Sequence, residues 1–290
     1  MSGTGAFNGD PRLKAQALAD LKAGGHPGWN IEATTDEREA LAQNYGLTAS
    51  FLSLVIMPRD AGPREAAISQ ALSAVEPGAD ADGIVRDWLL SVWSHPGYGP
   101  ASRLRQTPAF APAQAIAEAI RQGGSAPPTA KTWRELRKAL LAAGPLGSDQ
   151  AGYAAVMASM AWDPTTAPTL GGDVWVAWER AVNNERGVAH GWPLARQDEL
   201  FEALRHCMAQ TWKALGAPPT DASPADLAAH EAHVQARTQA CMEEKGLVED
   251  QKALFAFFED EMRPLLADRG PAAFKTILDA CARGGRSAGP

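Results

Sequence analysis

The chain has 290 residues, enough for one large or two medium domains that bury a core without metal or disulfide staples. Hydrophobic residues make up 45% and charged residues 21%, which excludes wholesale disorder. The net charge is −7 and the 27 Lys and Arg are scattered, with no basic run longer than the Arg134–Lys138 helix face. That excludes an ordinary nucleic-acid surface, which needs clustered cations.

Apolar residues recur almost everywhere at the helical period, and no stretch alternates with period two. The expected fold is therefore all-α, an irregular multi-helix bundle of about a dozen helices with no significant β-sheet. The N-terminus has no charged region followed by an apolar one, so no signal peptide is expected. The spacing predicts helices over 11–23, 35–45, 63–75 and 82–94. The most apolar run, Leu47–Met57, stops at Pro58 and is too short to cross a bilayer. Further helices are predicted over 112–122, 130–143, 149–161, 172–185, 196–215, 224–245, 248–268 and 271–282.

The boundaries have local causes. Pro63, Pro112 and Pro271 suit a first helical turn, where the missing N–H costs nothing. Ser223 and Asp226 have the spacing of a capping box, and Gly46, Gly123, Gly144, Gly216 and Gly246 mark stops. The stretch RQGGSAPPTA, Arg121–Ala130, is the best linker candidate. It either separates regions 1–124 and 125–290 or joins two helices of one continuous α domain. The tail from Arg283 is expected to fray, and no fixed repeat emerges at solenoid periods.

Cys207, Cys241 and Cys281 are an odd number of widely spaced thiols, which fits reduced cysteines in a cytoplasm. Ala-, Gly- and Arg-heavy usage fits a high-GC bacterial genome. Tryptophan is plentiful. Trp88 and Trp93, and the i,i+3 pair Trp175 and Trp178, read as core ridges. Trp29 and Trp192 fall in predicted loops and are the candidates for an aromatic groove.

Three histidines sit beside glycine and an aromatic ring: GHPGW at Gly25–Trp29, SHPGYGP at Ser94–Pro100 and HGWP at His190–Pro193. In the first two, Pro-Gly suits the centre of a type II turn, and the histidine stands where it can meet free helix-end carbonyls. His95, Tyr98 and His190 join Trp29 and Trp192 as candidate groove residues.

One polar cluster suggests metal chemistry. Asp226, His230 and His233 share a helix edge, and imidazoles with a carboxylate suit a divalent ion. Glu261 falls within the apolar stripe of Leu254, Phe257, Phe258, Met262 and Leu265, so it needs a partner, for which Arg237 or His230 would serve. No standard catalytic signature occurs.

Two readings follow. The first is a cytoplasmic helical protein that binds a protein or peptide partner, needing no cofactor, nucleic acid or membrane. The second is a metal-dependent enzyme built on Asp226, His230, His233 and Glu261, with His95 or His190 as acid-base groups.

Overall fold

The structure, a computed structural model, describes residues 5–58, 63–124, 127–218, 220 and 222–285. Among these every regular element is a helix, as the apolar periodicity requires. None is long and apolar enough to cross a membrane. Local sequence explains most ends. Asp10 caps α1 (Pro11–Ala23), and Thr34 with Glu37 forms a full capping box on α2 (Thr35–Tyr45). Gly24 and Gly46 close these helices in the left-handed conformation.

The apolar run becomes α3 (Ala49–Ile56), a helix the periodicity did not separate because it is hydrophobic all round. Every residue from Ser50 to Ile56 is buried, against α2, α4 (Arg64–Ala74) and α5 (Ala81–Trp93). Pro63, expected in the first helical turn, is instead the N-cap residue just before α4, while Gly62 lies outside the described residues. The short α6 (Pro100–Leu104) was also unforeseen, and it leads into α7 (Phe110–Gln122), α8 (Ala130–Leu141) and α9 (Ser148–Met160).

Next comes α10 (Leu170–Ala189), whose first turn sits directly on α3. A Cβ on Gly171 would lie 2.6 Å from the Ser50 carbonyl oxygen, so only glycine permits this approach. The Ser53 hydroxyl bridges the contact, accepting from Gly172 N–H at 2.8 Å and donating to the Thr169 carbonyl at 3.1 Å.

Two compact units result. One is built on residues up to Glu185 together with those from Leu266 on, and the other is Arg186–Leu265. The division does not fall at residues 121–130: α7 and α8, on either side of that stretch, pack together within the first unit.

The second unit contains α11 (Leu194–Leu215), α12 (Pro224–Glu244) and α13 (Val248–Phe257). Its core is Trp192, Leu200, Cys207, Met242, Leu254, Phe257 and Met262. Helices α11 and α12 lie antiparallel, so that Thr238 donates to Thr211 at 3.4 Å and Cys207 faces Cys241. These two cysteines form a disulfide with Cα atoms 5.7 Å apart, which corrects the expectation of three reduced thiols. Thirty-four residues separate them, and only the helical hairpin brings them together. Cys281 is the free thiol, buried in the first unit, and burial pushes it up to about 12.

One more boundary differs. A π-helical stretch, Phe258–Met262, follows α13, and α14 (Arg263–Arg283) then runs straight through Pro271, where a helix start was expected. Arg269 and Gly270 are buried there, so packing carries the helix past a proline that removes one backbone hydrogen bond. Of the tail expected to fray from Arg283, Arg283 ends α14 and the Gly284 carbonyl accepts from Asp80 N–H, while residues 286–290 lie outside the described residues.

Candidate functional site

The two His-Pro-Gly turns share a device, though not the expected one. Neither Gly28 nor Gly97 takes a positive φ, so neither turn is type II. Instead each imidazole accepts backbone N–H groups through Nδ1: His26 from Gly28 at 3.0 Å, and His95 from Gly97 at 3.2 Å and Tyr98 at 3.1 Å. An accepting Nδ1 must carry no proton, which leaves the proton of neutral His95 on Nε2. Burial also lowers the His95 pKa from its ordinary value. A histidine spent in this way orders the turn.

His95 and Tyr98 do come together. Their rings stack at 5.4 Å, His95 meets Trp178 edge-on at 5.4 Å, and Trp178 Nε1 donates to the Tyr98 carbonyl at 2.7 Å. Arg103 anchors the same turn by donating to the Gly97 carbonyl at 2.8 Å and to Glu185 Oε1 at 2.7 Å. Tyr153 donates to the other Glu185 oxygen at 2.5 Å. Burial, followed by that bond to a carboxylate, raises Tyr153 far above the ordinary tyrosine range. The network ties the loop after α5 to α6, α9 and α10 and holds it in one conformation.

Both loop tryptophans are buried. Trp29 is buried, stacks on Tyr45 at 6.2 Å and donates Nε1 to Asp20 at 3.0 Å. Trp192 is buried in the core of the second unit, with the Arg196 guanidinium 4.2 Å over its ring. His190 lies 3.4 Å from Glu261 and against Phe257.

The residues of the metal reading have other partners. Asp226 closes the capping box with Ser223, whose side-chain and backbone hydrogen bonds lower its pKa. His230 packs on Trp212 at 5.4 Å, and His233 is exposed. Glu261 pairs with Arg186 and His190, in place of the anticipated Arg237 or His230. The π-helical stretch carries Glu261 to a half-buried position at the end of α10. Among the described residues no group of three or more His, Cys, Asp or Glu is arranged to hold a metal ion.

Another surface came forward only in the structure. On α8, Trp133 and Leu140 are buried, while on the flank beside them Arg134, Lys138 and Leu141 are exposed and Arg137 is half-buried. This is the i, i+3, i+4, i+7 spacing of a single helix face. Leu141 is 76% exposed and Trp162, just past α9, is 46% exposed. The Arg137 guanidinium lies 3.5 Å over the Trp162 ring, a cation–π contact. Arg134, Arg137, Lys138, Leu141 and Ala142 line a shallow open groove. Helix α8 carries four cations and one carboxylate, Glu135, which sits 3.8 Å from Lys131. Among the described residues no carboxylate pairs with Arg134, Arg137 or Lys138. The sequence signal was the spacing of these four residues. Trp162, the other half of the surface, stands twenty-one residues beyond Leu141.

No family model, curated protein or solved structure matches the chain.

Proposed function

We propose that the chain is a helical binding protein that recognises another protein through the outward face of α8. The observation that carries this reading is the exposure of Leu141 and Trp162 beside three cations without carboxylate partners. Single exposed apolar side chains are commonplace, but the Trp162–Arg137 pair brings together two residue types enriched at protein interfaces. Arg137 already stacked on Trp162 adds preorganisation, so less side-chain freedom is lost on association. A cytoplasmic setting rested on unpaired thiols, and the Cys207–Cys241 bond removes that support, so the proposal names no compartment.

The test is affinity capture from the source cells with the immobilised full chain and with a Leu141→Asp variant. A protein held by the native chain and released from the variant, with unchanged thermal melting, supports the reading. Equal capture by both, or capture by neither, overturns it.

A further inference from the structure

We propose that the α8 face takes an acidic amphipathic segment of that partner, its carboxylates against Arg134, Arg137 and Lys138 and an apolar side chain against Leu141 and Trp162. The inference rests on the partner-binding reading above and names the chemistry of the partner. Charge complementarity carries it. The whole chain is at −7, so an acidic partner is repelled by most of this surface, whereas α8 bears four cations against one carboxylate. Such a contrast steers an acidic segment to this helix and away from the rest.

The geometry narrows the partner further. Arg134 and Lys138 stand one turn apart, about 6 Å along the axis, which matches carboxylates at i and i+4 of a facing helix. Arg137, held flat on Trp162, keeps the edge of its guanidinium for a carboxylate and can bind it through two parallel N–H donors. Leu141 lies about 10 Å beyond Arg134, so the apolar anchor of the partner sits roughly two turns from its first carboxylate.

Other anionic surfaces fit less well. A phosphate backbone offers nothing apolar to Leu141, and three cations neutralise few phosphates. A bilayer surface calls for a broad apolar face, whereas the stripe on α8 has a single leucine.

The experiment places photo-reactive p-benzoylphenylalanine at Leu141 of the full chain in its source cells, and separately at Trp212, exposed in the second unit. Cross-linked products are identified by mass spectrometry. The expected result is a protein adduct at position 141 that maps to a segment with two or more carboxylates within two turns. Arg134→Glu/Lys138→Glu lowers its yield at least about tenfold, and Arg134→Lys/Lys138→Arg retains it. An adduct on a neutral or basic segment, on lipid or on nucleic acid overturns the proposal, as does one indifferent to charge reversal. A protein adduct at 212 alone removes α8 as the site while leaving protein binding standing. Absence of adducts at both positions overturns both readings.

Discussion

In the first unit, α3 is buried from Ser50 to Ile56, and Trp88, Trp178 and Tyr153 are each less than 2% exposed. The second unit has a core of seven residues, crossed by the Cys207–Cys241 disulfide and edged by the pairing of Glu261 with Arg186 and His190. The contrast follows from size. A unit of this length exposes much of its surface whatever its fold, so its apolar burial leaves little margin and a cross-link contributes heavily. The larger unit encloses whole helices and needs no such staple.

This contrast can be broken experimentally, and the largest effect belongs to the first unit. Trp178→Ala removes a fully buried ring and its bond to the Tyr98 carbonyl, and should cost about 3–5 kcal/mol in denaturant unfolding followed by hydrogen exchange. The loss should appear in α5 and α10. If protection falls first in α11–α13, packing is not the main support of the first unit.

Removing the disulfide should come next. Cys207→Ala/Cys241→Ala is expected to cost about 2–4 kcal/mol, mostly by freeing the unfolded chain. Hydrogen exchange should then accelerate in α11 and α12 while α3 stays protected. An equal change in both units would erase the distinction. Cys281 should resist alkylation in the native protein throughout, since burial keeps its thiol protonated.

Tyr153→Phe is a gentler probe of the first unit. It deletes the hydroxyl that donates to Glu185 and should cost about 1–3 kcal/mol by thermal melting. A smaller effect is expected from acid. His95 is held neutral, with its folded pKa below the unfolded value of about 6.5, so its contribution is complete above that pH. As pH falls below it the unfolded chain gains the proton first, and stability declines toward the folded pKa. A His95→Asn variant should show a flatter melting profile between pH 7 and 5, roughly the range in which histidine titrates.

The smallest effect on stability is expected on α8. Arg134→Glu/Lys138→Glu should shift unfolding by less than about 0.5 kcal/mol, because both side chains are solvated. A larger shift would mean that the stripe serves folding and would remove it as a docking face.

How far the sequence was readable depended on the range of the interaction. The bounds of α1 and α2 followed to the residue because Asp10, Thr34, Glu37, Gly24 and Gly46 act on neighbours within one turn. The capping box of Ser223 and Asp226 was legible for the same reason, and it consumed the carboxylate that the metal reading required. His95 was expected to meet free helix-end carbonyls, whereas its ring accepts N–H groups from Gly97 and Tyr98. A His-Pro-Gly string does not say whether the ring will meet carbonyls or N–H groups.

Caps and helical period act within about one turn, and they were written locally. Burial of α3 on all sides, the run of α14 through Pro271 and the Cys207–Cys241 bond arose when distant segments packed. The outward face of α8 belongs to both ranges. Its spacing was in the sequence, but its exposure, and the seat of Arg137 on Trp162, came from how α8 settled its other face into the core.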